Sequence, residues 1–211
     1  LFIESEVIIQ HYNESPLNFI VSDYAINYPF KYLANDNFIL SSYMVLPNEE
    51  TRILLNNWIF NIYKYGEKIQ TYTLLQKLTT YIFKNFTYKV REEAGVQTAK
   101  QTLSYGSGSC RDFAFLFMEV VKCLGLATRF VSGYLYAPLM SDEVGSTHAW
   151  EEVYLPGGGW IGFDPTTGNI AGTDHISVAV SRLPDNVPPI AGSFLGVSDS
   201  TISVGVWVTK V

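Results

Sequence analysis

Cysteine is scarce in this 211-residue chain, which carries only Cys110 and Cys123. Two are too few for a disulfide framework. On one helix they would stand about 20 Å apart along the axis, far beyond bridging distance. A reducing compartment, the cytoplasm, is therefore the expected location, and Cys123 reads as a small core residue. Charge is also sparse: 16% of residues are charged, the formal net charge is −6, and Lys and Arg nowhere cluster. Binding to nucleic acid gains no support from such a surface. Apolar runs are broken well short of membrane-spanning length, so no membrane segment is expected. The start shows no signal-peptide pattern. Opening on Leu1 rather than methionine, the chain is expected to be a fragment or a processed form. No repeat and no low-complexity tract is visible.

Hydrophobic residues, by contrast, make up 47% of the chain, enough to bury a core in one large domain or in a core domain with a smaller partner. Residues 1–46 read as a β-rich N-terminal region, itself part of a longer lobe. Its strand candidates are Phe19–Tyr24 and Phe38–Tyr43, separated by Pro29 and the polar turn Asn35–Asn37. Residues 47–211 read as a core with C-terminal strands. Asn48 caps a helix carrying Ile53, Leu54, Trp58, Ile62 and Tyr65 at helical spacing, and Gly66 ends it. A second helix starts near Thr73. Phe86–Val90 is a short strand candidate, and a helical turn is expected after Thr98.

The chain is organised around residues 104–117. A small, flexible loop from Ser104 to Ser109 runs into Cys110, which opens an apolar run to Leu124. That grammar puts Cys110 at the start of a helix enclosed by the rest of the protein, with Gly125 as its stop. Free backbone N–H groups and the positive end of the helix dipole converge at such a point and favour an anion. Gly106 and Gly108 are expected to give a tight turn and let a substrate approach. Thr128–Tyr136 then reads as a strand closed by Pro138, followed by an exposed acidic loop at 139–146. Residues 147–155 alternate, with His148, Trp150, Glu152 and Tyr154 on one face. After the turn Pro156–Gly159, the segment Trp160–Asp164 returns as a second strand. Ile176–Val180 and Ile202–Val208 are further strand candidates. Helices gathered before and around Cys110, with antiparallel strands after it, make an α+β fold.

A thiolate nucleophile needs a base, and the base needs an orienting acceptor. His148 and Asp164 suit those roles if they face each other across the hairpin. Such a register requires a five-residue loop at 154–158 or an equivalent bulge; a two-residue turn would move Asp164 about 10 Å away. The Cys110 backbone N–H is a natural oxyanion donor, and Tyr105 is a candidate for the second. Trp150 and Trp160 read as hairpin core with either able to wall the site, and Glu152 shares the His148 face. His11 sits in the N-terminal region, and His175, at a strand start after Thr173-Asp174, has no nucleophile near it in sequence. Neither a cofactor nor a metal is called for, and no acidic calcium loop is present.

Three stretches together, Gly108–Ala114, Ser146–Tyr154 and Gly159–Thr166, resemble the transglutaminase-like superfamily, and most of all its bacterial branch of transglutaminase-like cysteine proteases. The resemblance is strongest over roughly 70–180 and extends to Val187–Gly192. It implies a papain-like α+β core, with the nucleophile at the N-terminus of a buried helix packed on an antiparallel sheet, and a Cys110–His148–Asp164 triad. It also implies thiol-dependent hydrolysis of an amide or peptide bond in a peptide or protein substrate. Acyl transfer to an amine, as in transglutaminases, would use the same residues, and a non-catalytic binding module on the same fold is a third reading. Arg111 follows the nucleophile where animal transglutaminases carry Trp, which weighs against cross-linking. Oligomeric state is not legible from these residues.

Overall fold

The computed structural model describes residues 2–12, 17–91, 93–136, 147–193, 195–196 and 201–209. Its helices are α1 (Ala34–Leu40), α2 (Glu49–Phe60), α3 (Thr71–Asn85), α4 (Ala99–Tyr105) and α5 (Cys110–Cys123). Four short strands, β1 (Asn27–Tyr28), β2 (Ile69–Gln70), β3 (Thr87–Tyr88) and β4 (Ser107–Gly108), form two two-stranded ribbons. The main sheet comprises β5 (Thr128–Leu135), β6 (Thr147–Leu155), β7 (Gly159–Asp164), β8 (Asn169–Ile170) and β9 (His175–Ser181). It is antiparallel throughout, in the order β8-β7-β6-β5-β9.

Local sequence sets the helix ends. The Asn48 side chain accepts the Thr51 N–H at 2.9 Å, and Glu49 and Glu50 occupy the first turn of α2, where acids complement the helix dipole. Thr98 and Gln101 form a capping box at the start of α4, and Gly106 ends that helix in the left-handed region at φ 58°. The apolar residues of α5 then lie between the other helices and the sheet. Phe113, Leu116, Phe117, Val120 and Val121 share one core with Leu55 and Ile59 of α2, Leu74, Leu75, Leu78 and Ile82 of α3, and Val153, Leu155 and Phe163 of the sheet. Enclosure on all sides is what an all-round apolar helix requires.

Three strand expectations fail. Residues 38–43 are helical, within α1 and a following 3-10 turn at Ser41–Tyr43, and among the described residues Phe19–Tyr24 pairs with no strand. Phe19, Val21 and Tyr43 pack instead on the helical core, so burial of their side chains overrides their β-propensity. Ile202–Val208 forms no ladder; Val206 alone makes an isolated bridge. Pro138 and the acidic loop at 139–146 lie outside the described residues.

Candidate active site

Cys110 is the first residue of α5, and the loop before it is clamped from within. Asp112 is fully buried and accepts the Ser109 N–H and hydroxyl, each at 2.8 Å. It also takes the Gln97 N–H at 2.7 Å and the Arg91 guanidinium at 2.7 and 3.1 Å. Burial opposes its charge, yet these donors hold its carboxyl below the usual range. Gly108 has a reason other than substrate access: a Cβ there would stand 2.8 Å from the Asp112 Cβ. Arg111, beside the nucleophile position, spends its guanidinium on the carbonyls of Arg91 and Glu93.

The hairpin brings His148 to Asp164, though not in the expected register. Glu151 pairs with Phe163 and Leu155 with Gly159, leaving a three-residue loop at 156–158. Extending that register puts Asp164 opposite Trp150, two residues from His148 and on the same face. Diagonal neighbours of this kind are within reach of long side chains, and His148 Nε2 lies 2.8 Å from Asp164 Oδ2. Both residues are buried. Burial works against a charged His148, but the hydrogen bond to Asp164, then that with Cys110, then the charges of both, outweigh it and push the imidazole up to about 9. Burial likewise works against ionised Asp164, and the hydrogen bonds from His148 and His175 reverse it, holding its carboxyl far below the usual range.

Cys110 packs against Ala114, Met118, Phe130 and Ala149, so it meets β6 beside His148. Cys110 and His148 both open onto a cleft of about 290 Å³, walled on its apolar side by Val96, Phe130, Val187 and Pro188. Tyr88 also lines it, and burial first, then negative charge at Cys110, push its hydroxyl up. Tyr105 does not reach this cleft: it is 62% exposed and lines a separate depression with Lys89 and Glu93. Trp150 is buried and does not line the cleft, but its ring packs on His148 at 6.0 Å, whereas Trp160 packs with Tyr43 and Tyr154 away from it. Glu152 is paired with Arg129 at 2.6 Å, and Arg129 lies over Trp160. His11 sits on the exposed N-terminal stretch. Cys123 is a free, partly buried thiol that burial pushes up to about 11.

One residue set aside in sequence belongs here. His175 opens β9, and β9 pairs with β5, so residues 170–175 cross from the β7 edge to the β5 edge of the sheet. His175 Nε2 thereby comes within 3.1 Å of Asp164 Oδ2. Only tertiary pairing places it; no spacing in the sequence signals it. Gly133 makes room for the crossing, since a Cβ there would strike the Ile176 carbonyl and the Trp150 ring. His148, Asp164 and His175 each offer a metal-ligand atom within 4.8 Å of the others. The hydrogen bonding does not fit a cation, however. His175 Nδ1 accepts the Gly172 N–H at 3.1 Å, which puts the ring proton on Nε2, the nitrogen a metal would need bare.

Comparison with known proteins agrees with this architecture. The family model of the transglutaminase-like superfamily matches residues 57–165. An uncharacterized protein of Mycobacterium leprae is 36% identical over 109 residues, covering 49% of this chain and 38% of that protein. An uncharacterized protein of Mycobacterium tuberculosis is 30% identical over 138 residues, covering 61% of this chain and 44% of that protein. This chain thus spans less than half the length of either relative. Among solved structures, a Cytophaga hutchinsonii protein provisionally named a cysteine protease superposes with a TM-score of 0.57 at 23% identity, covering 73% of this chain and 50% of its own. At that identity the likeness is one of fold.

Proposed function

Because the chain belongs to the transglutaminase-like superfamily, we propose that it hydrolyses an amide or peptide bond through a thioester on Cys110. The observation that carries this reading is the common cleft of Cys110 and His148, with His148 tied to the buried carboxylate of Asp164. An ionised carboxylate only accepts, so His148 donates through Nε2 and keeps Nδ1 for the thiol proton. Cys110 Sγ attacks the carbonyl carbon as its proton passes to His148. The resulting oxyanion is held by the Cys110 N–H, at a helix position with no internal acceptor, and by the Tyr88 hydroxyl. Collapse breaks the C–N bond, and the amine leaves with the proton from His148. Water then gives a proton to His148 and attacks the thioester, which releases the acid and restores the thiol. Asp164 keeps the imidazole oriented and stabilises its cationic form. An apolar wall beside the nucleophile suits an acyl group from a peptide or protein with an apolar side chain. With both cysteines free, the proposed location is a reducing compartment, the cytoplasm.

The test is incubation with casein peptides, with and without an added primary amine, following peptide cleavage and amine incorporation. Cleavage that needs Cys110 and proceeds without amine supports hydrolysis. Incorporation without cleavage would assign acyl transfer instead, and neither event, with Cys110 unreactive to iodoacetamide, would leave a binding module.

A further inference from the structure

Three side chains converge on a single oxygen of Asp164. Oδ2 lies 2.8 Å from His148 Nε2, 3.1 Å from His175 Nε2 and 3.0 Å from the Thr167 hydroxyl, while Oδ1 accepts the Thr166 N–H at 2.8 Å. The carboxylate is fully buried and ionised, so it can only accept, and both ring nitrogens must carry protons. For His148 that leaves Nδ1 toward Cys110. For His175 the other nitrogen is already taken by the Gly172 N–H, so the ring is neutral with its proton fixed on Nε2. A second proton on Nδ1 would set two donors against each other. The ring itself is held edge-on to Trp150 at 5.1 Å, and its side chain is only 9% exposed.

We propose that His175 is a positioning residue: a committed neutral donor that fixes the Asp164 carboxylate and shares its charge, so that His148 is held in place yet can release its proton to the leaving amine. The inference rests on the catalytic reading of Cys110, His148 and Asp164. Its physical basis is division of one anion among several donors. A carboxylate with His148 as its sole ring partner would grip the imidazolium proton harder; each added donor takes part of the negative charge and weakens that grip. Geometry adds a second effect, because β6, β9 and the turn after β7 send His148, His175 and Thr167 to the same oxygen, and the Asp164 rotamer cannot turn without losing a bond. Among the described residues, the titratable groups facing His148 are Cys110 from α5, Asp164 from β7 and His175 from β9. Arg91 and Arg111 on the cleft are engaged elsewhere, Tyr88 and Asp185 also line it, and Glu151 lies on the reverse face of β6.

Nitrogen-15 NMR of the histidine rings tests this in the intact chain. His175 should appear as the Nε2–H tautomer at neutral pH. In His175→Phe, which keeps a ring beside Trp150 but no donor, the His148 titration should move to higher pH than in wild type. His175→Gln restores an N–H near the Nε2 position and should return that titration to the wild-type range. If His175→Phe does not fold, His175→Ala supplies the same reading. A Nδ1–H tautomer at His175, a His148 titration that is unmoved or lowered without the donor, or a Gln variant that behaves like Phe would each overturn the proposal. Iodoacetamide labelling separates this from the underlying reading. If Cys110 reacts no faster in wild type than in His148→Ala, the catalytic assignment itself fails. If it does react faster and the His148 titration ignores His175, only the positioning role fails.

Discussion

His148 Nε2 sits 2.8 Å from Asp164 Oδ2, although the strands that carry them are paired at neither residue. The β6–β7 ladder runs from Leu155 to Glu151 and stops. Beyond it, His148 remains paired with Gly133 of β5, and Asp164 with Asn169 of β8. The contact therefore spans the opening where two strands part, and its orientation depends on donors around Asp164 rather than on a cross-strand rung.

Removing that carboxylate should uncouple the base. In Asp164→Ala, burial is left to act on His148 without the opposing charge, so the imidazole titrates well below its wild-type value of about 9. Turnover should fall by about 10⁴-fold, the loss that follows when an orienting triad carboxylate is removed. NMR titration and steady-state kinetics read the two effects. A His148 titration unchanged in this variant would contradict the assignment.

The two tyrosines near the nucleophile loop should behave differently. Tyr88→Phe should slow acyl-enzyme formation by about 10²-fold, as expected for loss of one oxyanion donor. Tyr105→Phe, altering a hydroxyl on the other depression, should leave the rate unchanged. Single-turnover kinetics on both variants, with circular dichroism as the folding control, make the comparison.

Glu151 is fully buried, and among the described side chains its two oxygens have no hydrogen-bond partner. Burial, and then the charge of Asp164, hold its carboxyl protonated well above the ordinary glutamate value of 4.5. A folded-state value above the unfolded one means that the native state binds the extra proton, so stability falls as pH rises beyond 4.5. Glu151→Gln lacks this titration. Denaturant unfolding at several pH values should show the variant gaining on wild type as pH increases, from a constant offset in acid. A difference that stays level with pH would contradict a protonated Glu151.

The Asp112 clamp should be expensive to break. Asp112→Ala leaves the Ser109 N–H and hydroxyl and the Gln97 N–H without their acceptor, and leaves the Arg91 guanidinium only Glu93 and the Gly95 carbonyl. Each buried donor left unpaired costs about 1–3 kcal/mol, which denaturant unfolding would resolve. Reactivity of Cys110 should fall with it, because the same carboxylate fixes the loop ahead of the nucleophile.

Much of this was legible from residue order alone. The Asn48 cap, the apolar run behind Cys110 and the alternation through residues 147–155 are local signals, and each leads to the element it predicts. Cys110, His148 and Asp164, the proposed nucleophile, base and acceptor, lie in stretches with recognisable turn and strand grammar, and the fold brings His148 and Asp164 together. The register was not legible. A three-residue loop and a five-residue loop draw on the same Pro156–Gly159 sequence, and the choice between them is made by Gly157 and Gly159 at positive φ and by the packing of Val153 and Leu155 on α5. Strand-like aromatics at 19–24 and 38–43 misled because their burial partners lie far away in the chain. His175 was invisible for the same reason: only the pairing of β9 with β5 carries it to Asp164.

Mass spectrometry of a quenched reaction with casein peptides is the most direct test of the central claim. An acyl adduct is expected on the peptide containing Cys110, absent from the Cys110→Ala variant and diminished in His148→Ala. Product formation with no adduct on Cys110, or turnover that survives Cys110→Ala, would contradict it.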